Sequence, residues 1–391
     1  MSEWGLFLLL AAVAATGGWL LGSKRAAKSQ ADPEKKFRSH YFRGLNYLLN
    51  EQQDKAIEVF LRLAEVNQDT VETHYALGNL FRRRGEVDRA IRCHQNIIAK
   101  PALTERQRTR ALLELGEDYM RAGLLDRAER LFSELVENDA HTPSALQHLL
   151  DIYQQEKDWP KAIYIARQLA QTEYQQNMGP VIGNYYCVLA EKSVAGKDYD
   201  EARGLLRQAR QYHPDSVRAC LIEAQLAEQH QQWGLAAKTY LQAFECDQEC
   251  LPEILPAILK SYQNDSREQE IPELLDRLLE QTNGITPVIA RAKIYQENEG
   301  RDAASEFLIS HLRRHPSVRG LACLIDINSG GGIYNEPDNR DILSELTRQL
   351  LENQPVYRCI QCGFSGQQQH WQCPSCKSWE TTRRIRGVTG E

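Results

Sequence analysis

The apolar positions from about Ser39 to about Ser317 recur as helical hairpins at a nearly fixed period. One column holds Ala56, Ala90, Ala128, Ala162, Ala202, Ala236 and Ala304, at steps of 34, 38, 34, 40, 34 and 68 residues, the last being two periods of 34. Twelve residues before the first three stand Gly44, Gly78 and Gly116, each followed three residues later by a ring, Tyr47, Phe81 or Tyr119. Four residues after the alanines come Phe60, His94, Phe132, Ala166, Leu206, Tyr240 and Leu308. Small residues let two helices cross closely, and a ring beside them fills the groove. The pattern predicts an all-α array of about eight hairpins over residues 37–327. Pro214 and Pro316, each twelve residues past a column alanine, mark hairpin ends. Between Ala236 and Ala304 the column falls on Glu270, in a degenerate repeat whose register still predicts a hairpin. The excess residues fall near 100–108 and 171–178, where longer connections are expected.

A period of 34 with small residues at the crossing resembles tetratricopeptide repeats, which implies a superhelix that binds in its concave groove. Counting back from the column alanine, the groove positions of the first repeat are Arg38, Tyr41, Leu45 and Leu48. Those of the second are Glu72, Tyr75, Asn79 and Arg82, and those of the third Arg110, Leu113, Glu117 and Met120. Such a mixture of polar, aromatic and basic side chains suits a peptide or a partner's loop. After the array, Asn328 to Asn339 reads as a turn, and Ile342, Leu343, Leu346 and Leu350 form a helical stripe expected to pack on the last repeat. Residues 328–355 are thus a turn and a packing helix, closed by Pro355.

In front of the array, Trp4 to Leu21 is an eighteen-residue stretch without a charge, with Trp4 and Trp19 near its ends. At about 1.5 Å per residue it spans about 27 Å, close to the hydrocarbon thickness of a bilayer. Lys24, Arg25 and Lys28 follow it, whereas only Glu3 precedes it. The positive-inside rule then predicts a retained single-pass anchor over residues 1–22, its N-terminus outside and the rest cytoplasmic, rather than a cleaved signal peptide. Ala11 to Ala15 with Gly17 and Gly18 offers a small-residue face for a helix contact in the bilayer, as in a homodimer. Residues 23–36 form a charged linker short enough to hold the array near the membrane.

Composition changes this picture little. A net charge of −6 and a pI near 6.0 argue against nucleic acid as a partner, which needs a basic face. Six of the ten cysteines (Cys93, Cys187, Cys220, Cys246, Cys250 and Cys323) scatter through predicted helices and read as buried thiols in a reducing compartment. Cys246 and Cys250, at i and i+4, are expected to share a helical face as packing residues. No HExxH, GxSxG or GxxxxGK[ST] occurs, and Gly330 to Gly332 has no lysine or helix start after it, so no catalytic constellation is expected and the chain does not read as an enzyme.

The remaining four cysteines carry the chemistry. Cys359, Cys362, Cys373 and Cys376 stand as C-x2-C, ten residues, C-x2-C, which presents four thiolates to one tetrahedral ion. The turns at Cys362-Gly363 and Cys373-Pro374 leave backbone N–H groups to bond sulfur. A segment this small depends on its metal for folding, by an amount on the order of 10 kcal/mol. A closed four-thiolate site disfavours catalytic zinc and leaves structural zinc or rubredoxin-type iron. Phe364, Trp371 and Trp379 are expected to shield the site, His370 to lie outside it, and Lys377, Arg383, Arg384 and Arg386 to make the tail over residues 356–391 basic.

The order of an anchor beginning WGLFLLL, repeats from SHYFRGLNYLLNEQQDKAIEVF, and a terminal YRCIQCGF with WQCPSCKSW resembles the lipopolysaccharide assembly protein B family over essentially the whole chain. That resemblance implies a bacterial inner-membrane adaptor with a periplasmic N-terminus. It would restrain lipopolysaccharide synthesis by promoting degradation of the deacetylase LpxC by the membrane protease FtsH, and would scaffold other lipopolysaccharide synthesis or assembly proteins. It implies that Cys359, Cys362, Cys373 and Cys376 hold the metal of a rubredoxin-like domain, iron by the likeness and zinc as the alternative, the ten-residue gap being shorter than in free-standing rubredoxins. The other reading it leaves open is a rubredoxin-type electron-transfer protein on a repeat scaffold.

Overall fold

The computed structural model describes residues 33–66, 71–101, 103–172, 177–329, 338–352, 354–388 and 390–391, besides Thr16. The expected anchor, the linker up to residue 32, Gly330 to Gly332 and the side chains of Arg38, Ile342 and Leu343 lie outside what is described. Among the described residues, no helix is long and apolar enough to cross a membrane.

The chain divides into two compact units, residues 1–156 and 157–391. The first holds α1 (Pro33–Leu49), α2 (Gln53–Val66), α3 (Val71–Arg84), α4 (Val87–Ile98), α5 (Glu105–Arg121), α6 (Leu125–Glu137) and α7 (Thr142–Glu156). The second holds α8 (Trp159–Ala170), α9 (Gly179–Ala195), α10 (Tyr199–Tyr212), α11 (Val217–Gln229), α12 (Trp233–Cys246), α13 (Leu251–Asn264), α14 (Ile271–Gln281), α15 (Ile285–Asn298), α16 (Arg301–Leu312), α17 (Val318–Ser329) and α18 (Asp338–Glu352). A small sheet follows, of β1 (Tyr357–Cys359), β2 (Ser365–Gly366) and β3 (Thr382–Arg384), in the order β2-β1-β3 with both pairings antiparallel. The architecture is a mostly helical tetratricopeptide-repeat array with a small C-terminal domain.

The alanine column is the seam of the hairpins, and all seven column alanines are completely buried. Its partner is the residue four positions on. A Cβ placed on Gly44 would stand 2.7 Å from the Phe60 ring, and one on Gly116 would stand 2.6 Å from the Phe132 ring. On Gly78 it would strike the His94 imidazole. The glycines thus admit the ring that follows the alanine, which is why the two columns keep step. His94 takes a ring position but brings a polar edge. Asp118 Oδ2 lies 2.5 Å from its Nδ1, and Arg82 donates to Asp118 Oδ1 at 2.9 Å, so the buried carboxylate is paired on both sides.

The turn inside each hairpin has a second regularity. Glu51, Gly85, Gly123, Lys157, Lys197, Gln231, Ser266 and Gly300 all have positive φ. Only three are glycine, so the sequence announces the turn weakly although the backbone repeats it.

Three expectations are corrected. Glu270 does not occupy the alanine column. Residues 268–270 form a short 3-10 turn, Glu270 is exposed against Arg267 at 2.6 Å, and the seam passes to Ile271 and Leu275, 7% and 0% exposed. A carboxylate cannot sit in a dry helix crossing, and one extra residue ahead of the turn, which sets Ser266 35 residues after Gln231, moves it out. Cys246 and Cys250 do not share a helical face, because α12 ends at Cys246 and Asp247 is extended before a second 3-10 turn, Gln248–Cys250. On α18, Leu346 and Leu350 are half exposed, while Thr347 is buried and Leu351 half-buried. Neighbouring stripes on a short helix both read as apolar, and the period alone does not choose between them.

Replacing Gly116 by Ala should destabilise the protein by about 1–3 kcal/mol in urea unfolding, since the Phe132 ring is fully enclosed. Phe132→Leu in the same chain should recover part of that loss.

Candidate metal centre and its seat on the repeats

The two knuckles are the same turn made twice. Cys359 N–H donates to Phe364 O at 2.7 Å and Gly363 N–H to Cys359 O at 3.0 Å. In the second, Cys373 N–H donates to Ser378 O and Lys377 N–H to Cys373 O, both at 2.9 Å. Gly363 and Lys377 both have positive φ, so the second knuckle makes with lysine the bend that the first makes with glycine.

These turns aim four sulfurs at one point. All lie within 4.8 Å of one another, with Cys359 Sγ 3.7 Å from Cys376 Sγ and Cys362 Sγ 3.6 Å from Cys373 Sγ. A disulfide needs about 2.05 Å. A tetrahedral ion with metal–sulfur bonds of about 2.3 Å sets its sulfurs about 3.8 Å apart, so the donor set fits such an ion. Backbone N–H groups of Gln361 and Cys362 point at Cys359, and those of Ser375 and Cys376 at Cys373. The Thr381 hydroxyl, 3.3 Å from Cys359 Sγ, and those N–H groups hold that thiol down to about 6, whereas burial pushes Cys373 up to about 11. The four cysteines form a tetrathiolate metal-binding site. His370 is outside it, edge-on to Phe364 at 6.1 Å.

The second knuckle runs directly into a contact with the repeats. Trp379 packs edge-on against Tyr185 of α9 and Trp159 of α8, at ring separations of 5.7 and 6.3 Å. Arg218 of α11, 6% exposed, lies 5.8 Å from the Trp371 ring and 5.7 Å from that of Trp379. It is held by Glu191 of α9 through two bonds of 3.0 and 2.8 Å, and donates to Asn184 Oδ1 at 3.2 Å. Asn184 donates its amide to Glu380 Oε1 at 2.8 Å, and His213 Nε2 is 3.2 Å from Glu380 Oε2. The bond to Glu380 raises His213 above its ordinary value, outweighing burial. Burial would raise the Glu380 carboxyl, but His213 and Asn184 lower it on balance.

The basic tail is spent on the same seam. Arg383 pairs with Asp247, Arg384 and the Tyr357 hydroxyl meet Glu253, and Arg386 reaches Glu249 at 2.8 Å. The Glu391 side chain accepts from Thr286 N–H at 3.2 Å at the start of α15 and pairs with Arg319. A cavity of about 230 Å³ remains between the knuckles and α12 to α13, lined among others by His213, Glu253, Trp371 and Arg383.

Several of the groove residues counted in the first three repeats are engaged within the array itself. Tyr75 is 3% exposed and donates to Gln107 O at 2.6 Å, with Arg110 stacked 4.5 Å over its ring. Arg82 meets Glu114, Glu117 and Asp118 at 2.6, 2.8 and 2.9 Å, and Asn79 reaches Glu114 at 3.4 Å. Tyr41 is edge-on to Phe60 at 5.6 Å, and Met120 is half-buried. The residues that receive the metal domain were missed, although the same count finds them. Eighteen residues before Ala202 and Ala236 stand Asn184 and Arg218, the positions of Glu72 and Arg110 in the second and third repeats.

Comparison with known proteins agrees with both parts. A family model described as the rubredoxin metal binding domain matches residues 357–383, and a tetratricopeptide-repeat model matches residues 113–177 and 193–249. The chain is 35% identical over 386 residues to lipopolysaccharide assembly protein B of Escherichia coli strain K12, covering 98% of this chain and 99% of the relative. It is 33% identical over 392 residues to the Haemophilus influenzae protein of the same name, covering 97% and 98%.

Two outcomes follow. Cys373→Ser should leave no bound metal where the parent chain holds one ion, read by elemental analysis of the purified protein. The His213–Glu380 pair contributes fully below the ordinary histidine value of 6.5 and is lost as pH climbs through the raised one. It is also lost in acid, once pH falls through the lowered Glu380 value. The margin by which the parent chain melts above its His213→Gln form should therefore be larger at pH 6 than at pH 8, by an amount worth about 0.5–1 kcal/mol. Identities of 35% and 33% over nearly the whole of both chains show that the chain belongs to the lipopolysaccharide assembly protein B family.

Proposed function

We propose that this protein is a membrane-anchored, non-catalytic adaptor acting in lipopolysaccharide assembly, and that it restrains synthesis by presenting LpxC to the protease FtsH. The reading is carried by the 35% identity that runs through 98% of the chain, from the apolar N-terminal stretch across the repeats to the knuckles. The relatives' name supplies the lipopolysaccharide role, and the two named partners come from the resemblance set out above. The uncharged stretch from Trp4 to Leu21, followed by basic residues, supports the inner membrane as its place, with repeats and metal domain on the cytoplasmic side.

The chemistry of the site supports an adaptor. With four thiolates on one ion no coordination position stays open for water or substrate, so the metal's part is to hold the fold of the knuckles. The side chains around it, Trp379, Glu380, Arg218 and Asn184, are engaged in seating one domain on another. An adaptor gains its effect from effective concentration: one surface holds the substrate, another meets the protease, and no bond is made or broken by this chain. The seated metal domain completes the surface of the repeats that it covers.

The test is the half-life of LpxC in cells with the protein, without it, or with the Cys373→Ser form at equal abundance. LpxC should persist when the protein is absent, and the Cys373→Ser form should fail to restore turnover. Equal decay in all three would remove this function from the chain.

A further inference from the structure

The first helix of the array leaves an apolar pair uncovered. On α1, Tyr41, Leu45, Tyr47 and Leu48 pack on the core of the first hairpin. Phe42 and Leu49 point the other way, 62% and 81% exposed, with exposed Asn46 between them at helical spacing. In the next two repeats the position of Leu49 is held by Arg83 and Arg121, both exposed. Repeat arrays stay soluble by giving their terminal repeat a polar outer face, and here Phe42 and Leu49 interrupt that face. Something apolar is to be expected against it.

Charge selects the occupant. Residues 23–43 contain seven Lys and Arg against Asp32 and Glu34, a local balance of +5 (7 − 2) in a chain whose total is −6. Arg43 is exposed beside Phe42. Further along the chain the next acidic groups are Glu51, in the turn, and Asp54, at the start of α2, and Asp54 is paired with Arg84 at 2.6 Å. The uncharged stretch ends at Leu21, twelve residues before α1 begins at Pro33, a reach of at most about 40 Å. Two exposed apolar side chains are too small a patch for a stable protein interface, and a surplus of like charge opposes a second copy.

We propose that this face of α1 is a membrane-contact surface. Phe42 and Leu49 enter the boundary between headgroups and acyl chains of an anionic bilayer, and the exposed Arg43 beside them binds the phosphates. The proposal rests on the reading of residues 1–22 as an anchor and adds to it a second contact, one that fixes the orientation of the first repeat on the membrane.

The test uses the full chain reconstituted into phosphatidylglycerol-containing vesicles or into phosphatidylcholine vesicles, with a photoreactive benzophenone side chain at position 42, 49 or, as the reference, 124. Leu124 is also an exposed apolar residue, 40% accessible, in the turn of the third hairpin. Lipid adducts at 42 and 49 should exceed those at 124 several-fold in the anionic vesicles. They should fall in phosphatidylcholine, at high salt, or with Arg43→Glu. Floating vesicles that carry the protein but show no excess of lipid adduct at 42 and 49, or protein–protein adducts in its place, would overturn the proposal and leave the anchor standing. A chain that does not float with vesicles at all would remove the anchor reading and the proposal together.

Discussion

Four thiolates brought within bonding distance of one point repel one another unless a cation sits among them, and the C-terminal domain is arranged around that constraint. Three strands of two or three residues cannot bury enough surface to hold a fold. The ion supplies what the missing core does not. Once it fixes the two knuckle turns, Trp379 and Glu380 follow at set positions, three and four residues past Cys376. The seat on α8, α9 and α11 depends on those two side chains being delivered together.

The repeats meet this delivery with groups of matching chemistry. Trp379 enters an aromatic corner, Glu380 finds an amide and an imidazole, and Arg218 lies beside both tryptophans while Glu191 holds its guanidinium. A buried arginine without such a partner would be costly; here the partner comes from the neighbouring repeat. The tail arginines add Asp247, Glu249 and Glu253 along the same seam. Binding of metal and docking on the repeats are therefore linked free energies, each stabilising the other.

Much of this was legible in the sequence, because two strict geometric demands leave marks there. Helix crossings need small residues, hence the alanine column and the glycines opposite Phe60 and Phe132. Tetrahedral metal needs paired thiols, hence the knuckle spacing. The hairpin turns were less visible, since Glu51, Lys157, Lys197 and Gln231 take a backbone conformation that glycine would have signalled. Glu270 misled because a one-residue shift of turn is invisible to a period. The receiving residues Asn184 and Arg218 carried no motif of their own; only the repeat register joins them, 34 residues apart. The tail arginines looked like a free basic patch because their acidic partners lie more than a hundred residues earlier in the chain.

The linkage between metal and repeats is the claim on which the rest turns, and hydrogen exchange on the full chain before and after chelation measures it most directly. Removing the ion should raise exchange in α9 and α11, around Asn184 and Arg218, as well as in the knuckles, while α3 to α6 keep their protection. If chelation loosens the knuckles alone and α9 and α11 exchange as before, the metal domain is only a neighbour of the repeats and the account of a coupled seat is wrong.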